Sequence, residues 1–222
     1  MENVIRGLLV VHIIAGFAAF FCAPVALLTL KGGATHRRFG KYYLYLMSVV
    51  SATAIIIAVY RPIVFLALVA VFSTYFAFKG YRILQRKNGP AQPLDWAGAA
   101  LMVASGIGLI ALGELQPAGM NMPSPAVAIA FGVVAILFGG FDMLQFVRPA
   151  ADKNSWWYGH ISGMLGSYIA AVSAFSAVNF RFLPPTIRWL WPSIIGVPVI
   201  FIWIGYYQRK FNSKKAATPA SA

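Results

Sequence analysis

Acidic residues are scarce in this chain: Glu2, Asp95, Glu114, Asp142 and Asp152 are the only five among 222 residues. Charged residues of both signs make up 10% and hydrophobic ones 60%, where a soluble domain carries about 25% charged residues. That composition excludes an ordinary hydrated surface and fits a chain facing lipid. A single cysteine, Cys22, excludes an intramolecular disulfide framework. It lies in an apolar run and reads as a buried structural thiol. Three histidines, His12, His36 and His160, are too few for two bis-histidine haems. There is no His-x-x-x-His pair, no Cys-x-x-Cys, no phosphate-binding or dinucleotide fingerprint, and no Gly-x-Ser-x-Gly elbow. No short apolar run ends in a small-residue cleavage site, so the first segment reads as a retained helix rather than a signal peptide.

What the chain has in quantity is long hydrophobic runs. Seven spans are expected, at about 4–30, 42–60, 62–79, 95–115, 125–146, 157–179 and 189–207, each near the ~20 residues that cross a hydrocarbon layer. Lipid cannot satisfy open backbone groups, so the expected fold is all-α, a seven-transmembrane-helix bundle. It occupies 1–211, with a disordered basic tail at 212–222. The Arg61-Pro62 break implies a tight hairpin. Asp95 reads as the N-cap of the fourth helix.

The net charge of +13 could suggest nucleic acid, but the basic residues sit in short clusters between apolar runs. All but four of the 18, Arg6, Arg61, Arg181 and Arg188, fall on one side of the spans. The positive-inside rule then puts that side in the cytoplasm, with the N-terminus outside and the C-terminus cytoplasmic, in a multi-pass protein of the cell inner membrane. Tyr42, Tyr43, Tyr45, Trp156, Trp157, Tyr158, Trp189, Trp191, Tyr206 and Tyr207 flank the spans and read as interfacial anchors. Gly159, Gly163 and Ser167 form a small-residue track that suits close helix packing. Kinks are expected at Pro24, Pro192 and Pro198. No internal repeat marks an inverted-repeat transporter.

The ionisable residues carry the chemical leads. His36, in an expected inner loop, His160, one turn into the sixth span, and Asp142, near the end of the fifth, come to one side and suit a metal, with Arg38 or Arg148 as neighbours. Met164 lies on the face of His160, and His12, His160 and Met164 are the candidate cofactor ligands. These donors admit zinc, copper, iron or haem. They serve equally in a proton relay or salt-bridge network. His12 is expected to pair with Glu114, with Gly16 leaving space beside it. The readings that follow are a metal- or redox-cofactor protein, a proton-coupled small-solute transporter, or a zinc-dependent intramembrane lipid hydrolase. Partners are membrane lipids and a small solute, lipid or quinone; a homo-oligomer is compatible, and nucleic acid is not expected.

At His12 and Gly16, at His36-Arg37-Arg38-Phe39-Gly40-Lys41-Tyr42, and at Gly159-His160 through Met164, Gly166, Tyr168, Ala170 and Asn179, the chain resembles a family of bacterial predicted multi-pass membrane proteins described as a domain of unknown function. The resemblance covers most of the chain and implies that His12, His36 and His160 are a linked set. The arrangement also resembles, more broadly, the seven-helix membrane hydrolases related to ceramidases and adiponectin receptors, although their paired histidines near the last span are missing here.

Overall fold

A computed structural model describes residues 1–87, 89–118, 122–148 and 151–217. Seven helices account for nearly all of them: α1 (Glu2–Leu28), α2 (Ala34–Tyr60), α3 (Val64–Arg86), α4 (Pro93–Leu115), α5 (Pro125–Val147), α6 (Ser155–Asn179) and α7 (Pro185–Ala217). The shortest has 23 residues, roughly 35 Å of helix, against a hydrocarbon core of about 30 Å. All seven are long and apolar enough to cross a membrane. The fold is an all-α, seven-helix bundle with many large side chains directed outward, among them Ile14, Phe21, Leu101, Leu137, Ile194 and Ile202.

The helices extend further into the basic clusters than hydropathy alone places them. α2 begins at Ala34 and α3 ends at Arg86, so His36 is in the first turn of a helix rather than in a loop, and Lys79, Arg82 and Arg86 project from α3. α7 continues to Ala217, into the stretch assigned to a tail; residues 218–222 lie outside the described residues, as does Gly119 of the 116–124 loop. Long basic side chains carry their charge to the rim while their helical backbone stays satisfied, which is why a charge does not end a span. The hairpin at Arg61-Pro62 is as tight as expected, with Tyr60 ending α2, Val64 starting α3, and Arg61 reaching Glu2 at 3.3 Å. Asp95 is not the N-cap of α4. Gln92 is, and Asp95 is its capping-box partner three residues on, accepting from the Gln92 backbone N–H at 2.9 Å.

The C-terminal ends of α1, α3, α5 and α7 and the N-terminal ends of α2, α4 and α6 make one face of the bundle, here called the basic end. Consecutive helices pack together with one exception. Among the described residues α5 and α6 make no contact, while α3 packs across to α6, α1 also touches α6, and α5 meets α7. The space between α5 and α6 is therefore bounded by α3 on one side and α7 on the other.

Two glycine seams set these distances. Along α4–α5, a methyl on Gly106 would lie 2.8 Å from the Gly132 carbonyl oxygen, and one on Gly132 would lie 2.6 Å from that of Gly106. Along α3–α6, a methyl on Gly163 would lie 2.6 Å from the Gly80 backbone, and one on Gly166 would strike the Phe76 ring at 2.6 Å. Only hydrogen fits at such positions, which is how small residues bring helices into backbone contact in lipid. Ser167 continues the track differently: it is fully buried and hydrogen-bonded to the Tyr43 hydroxyl at 2.8 Å. Tyr43 is only 2% exposed and so is a core residue, whereas Tyr42 and Tyr45 face outward as interfacial rings do.

Candidate binding sites at the basic end

Among the described residues, two pockets at the basic end stand out, one on each side of the α3–α6 seam. The larger fills the gap between α5 and α6 and has a volume of about 700 Å³, within the ~300–1,000 Å³ of small-molecule sites. Its walls are apolar, with Leu137, Phe138 and Phe141 from α5 and Ile200, Phe201 and Ile204 from α7. Its polar groups are concentrated on α3 and the adjoining helix ends.

On α3, Tyr75 and Lys79 are four residues apart and lie on one face. Both reach Asp142 of α5. The Lys79 ammonium donates to Oδ1 at 2.6 Å, and the Tyr75 hydroxyl donates to Oδ2 at 2.7 Å. The Lys79 and Asp142 side chains are 11% and 7% exposed, so this ion pair is almost wholly removed from solvent. Lys79 also lies over the Phe138 ring, 5.7 Å from its centre. Each carboxylate oxygen thus has its own donor, which is the condition under which a buried charge is tolerated.

One to two turns further along α3, Arg82 grips Asp95 through Nε at 3.1 Å and through its terminal nitrogen at 3.2 Å, and donates to Gln92 at 2.7 Å. Arg86 stands beside this fork, stacked over Phe146 at 5.0 Å. Its Nε is 3.9 Å from Asp95 and is buried without a hydrogen-bond partner. A buried donor without an acceptor is a cost that its 3.9 Å approach to the Asp95 carboxylate only partly offsets.

The smaller pocket, about 60 Å³, lies between α1, α2 and α6 and is lined by His36, Tyr43, His160, Met164 and Tyr168 among others. His36 Nδ1 donates to the Ala26 carbonyl of α1 at 2.9 Å, and His160 Nδ1 donates to the Gly80 carbonyl of α3 at 2.8 Å. A carbonyl can only accept, so each Nδ1 carries its hydrogen. Their ring centres are 6.3 Å apart. The His160 bond depends on the glycine seam, because any side chain at Gly80 would meet the Met164 backbone and sulfur, both at 2.9 Å. Nearby, Lys31 in the α1–α2 turn donates to the Ala26, Leu27 and Thr29 carbonyls and closes the end of α1. Partial burial there pulls its ammonium below the usual lysine range.

The expected site residues are thus distributed over three places. His36, His160 and Met164 come together. Asp142 stands on the other side of the seam with Lys79 and Tyr75, rather than with the histidines or with Arg38 or Arg148. His12 is apart from both: its Nδ1 donates to the Val50 carbonyl at 3.1 Å and lies 3.0 Å from the Thr53 hydroxyl. The stretch of α1 from His12 to Ala26 is roughly 21 Å long, so His12 and His160 do not flank a common centre. The pairing of His12 with Glu114 does not form either, since α1 packs on α2 and α6 while α4 packs on α3 and α5, and Glu114 is exposed. Among the described residues no group of three or more His, Cys, Asp or Glu is placed to hold a metal ion.

Lys79 and Tyr75 escape a search for histidines and carboxylates. The signal that could have found them is a lysine and a tyrosine at i and i+4 on an apolar helix, which must bury a charge or carry it to the rim. No protein-family model matches this chain, and no curated protein or solved structure shows a significant match to it.

Proposed function

We propose that the protein is a membrane-embedded binder of a small amphipathic molecule, a lipid or quinone-like compound, held in the cavity between α5 and α6. The observation that carries this reading is the cavity itself, with an apolar wall on α5 and α7 facing a polar strip on α3. An apolar tail lies against Phe138, Phe141, Phe201 and Ile204, and a head group with hydrogen-bond acceptors meets the basic strip of Arg82 and Arg86 on α3. The clustering of basic residues at this end supports an orientation with the mouth of the cavity toward the cytoplasm.

The test uses the full chain purified in mild detergent. Bound amphiphiles are extracted and identified by mass spectrometry, and a panel of lipids and quinones is screened for thermal stabilisation. A ligand at 100 times its Kd stabilises by about 2.7 kcal/mol. Ser162→Leu narrows the cavity and Arg86→Gln removes one guanidinium charge from its polar strip; both should lose the ligand while remaining folded. A wild-type protein that carries no stoichiometric amphiphile and responds to none in the panel refutes the reading.

The buried Lys79–Asp142 pair favours a second reading, proton-coupled transport of the same molecule, since intramembrane ion pairs of this kind mark proton relays. Under it, Asp142→Asn in proteoliposomes abolishes pH-driven flux while leaving binding in place. A zinc hydrolase built on His36, His160 and Asp142 has no support in the geometry, because the seam separates the carboxylate from the histidines. The metal reading of the histidines stands on the smaller pocket alone.

A further inference from the structure

The second pocket is independent of the first, and its chemistry differs. Its polar lining is two imidazoles, a thioether and the phenols of Tyr43 and Tyr168, with no carboxylate, lysine or arginine among its lining residues. Both imidazoles are fixed in the same way. Nδ1–H is committed to a backbone carbonyl, which leaves Nε2 as the basic nitrogen, and among the described residues neither Nε2 has a hydrogen-bond partner. Metal-binding histidines are oriented in this manner, one ring nitrogen donating to a carbonyl so that the other presents its lone pair. His160 and Met164 are four residues apart on α6 and share a face, and the Met164 sulfur packs against the same Gly80 whose carbonyl holds His160. His36 comes from the first turn of α2.

The size of the pocket selects the class of occupant. A volume of about 60 Å³ compares with the ~30 Å³ share of one water in the liquid. It admits an ion and excludes haem. Two imidazoles that bind one ion through bonds of about 2 Å have ring centres roughly 5.5–6.5 Å apart, from trigonal to linear ligation, and the observed separation of 6.3 Å lies in that range.

Charge and softness select among ions. No anionic group lines the pocket to neutralise a divalent cation, and Lys31, Arg37 and Arg38 stand in the adjoining turn and helix start, so a low charge is favoured. Zinc prefers four ligands, with thiolate or carboxylate common among them, and the lining of this pocket offers three neutral donors, two imidazoles and one thioether. Imidazole and thioether together suit monovalent copper. We infer that His36, His160 and Met164 form a copper(I) site at the basic end of α2 and α6.

The experiment is a competition titration on the full chain in detergent. Copper(I) is supplied by ascorbate-reduced copper salt and shared with a chromophoric copper(I) chelator. Wild-type protein should withdraw one copper per chain. Loss of an outer-shell partner alone weakens a metal site by 10–100-fold, so removing a ligand with His36→Ala or His160→Ala should weaken binding by on the order of 100-fold. Met164→Leu conserves volume and should fold as wild type, and its loss should be roughly tenfold or more. His160→Gln retains an N–H for the Gly80 carbonyl, and serves if the alanine variant is unstable. His12→Ala should bind copper as wild type does. X-ray absorption on the loaded protein should show nitrogen and sulfur neighbours. The inference is overturned if wild-type protein cannot compete with the chelator, if Met164→Leu and both histidine variants bind unchanged, or if zinc(II) occupies the same residues as tightly as copper(I). Failure here leaves the amphiphile reading intact, because the two pockets share no lining residue.

Discussion

Lys79 and Asp142 should show strong energetic coupling in a double-mutant cycle. At 2.6 Å and an effective dielectric of about 20, their gross attraction is about 6 kcal/mol. Withdrawing each ion from water costs several kcal/mol, so the intact pair contributes little net stability. Breaking it is another matter, because the surviving charge stays behind in a low-dielectric wall. Lys79→Met keeps the length and packing of the side chain and leaves the Asp142 carboxylate with Tyr75 as its one donor, at a cost of about 3 kcal/mol. Asp142→Asn leaves the Lys79 ammonium facing a neutral amide, at a similar cost. The double variant removes both charges and still offers an amide oxygen to the Tyr75 hydroxyl, and should lie within about 1 kcal/mol of wild type. The assay is reversible unfolding in mixed detergent micelles, followed by tryptophan fluorescence. The double variant should be more stable than either single one, with a coupling of about 5 kcal/mol, above the ~0.5–3 kcal/mol usual for contacting residues. Additive effects, with coupling below about 0.5 kcal/mol, would mean that the pair is hydrated and that the cavity floor is not the desolvated site described here.

Gly163→Ala should destabilise by about 1–3 kcal/mol, since its methyl group meets Gly80 backbone that cannot rotate aside, whereas Gly140→Ala, with open space around it, should be neutral or slightly stabilising; the same unfolding assay compares them. Tyr43→Phe and Ser167→Ala should each cost about 1 kcal/mol through loss of one buried hydrogen bond, and the double variant should cost no more than the sum of the two. Asp95→Ala removes both the capping box of α4 and the carboxylate held by Arg82, so it should cost about 1–2 kcal/mol and raise amide exchange in the first turn of α4.

The number of helices, their membrane-spanning length and the hairpin at Arg61 were legible because lipid enforces long, fully satisfied helices, and hydropathy records that requirement directly. The helix ends were less legible. His36 and the arginines after it look like a loop to a charge-based reading, yet a basic side chain at the rim does not interrupt backbone hydrogen bonding, and α2 starts before them. Partner choice was the least legible. Asp142 was expected near the histidines because it shares their end of the membrane, but depth fixes only one coordinate. Which neighbour it meets depends on rotation about α5 and on the order of helices around the bundle, and α5 turns out to face α3 and α7 rather than α6. The face shared by His160 and Met164 was readable from their spacing, since that relation lies within one helix. The meeting of His160 with His36 needed the tertiary structure.

The α3–α6 seam is what makes two sites from one crowded end. Lys79 and Gly80 are neighbours in sequence, and successive residues of a helix point about 100° apart. Lys79 therefore turns toward Asp142 and the large cavity, while Gly80 presents its bare backbone to α6. Because Gly80 has no side chain, Gly163 can approach it, Met164 can lie against it, and His160 can reach its carbonyl. A larger residue at Gly80 would push α6 outward, which would lengthen the His160 bond and widen the gap that forms the large cavity. The geometry of both pockets thus depends on one helix contact, and the small residues Gly80, Gly159, Gly163 and Gly166 are as much a part of each site as the side chains that line it.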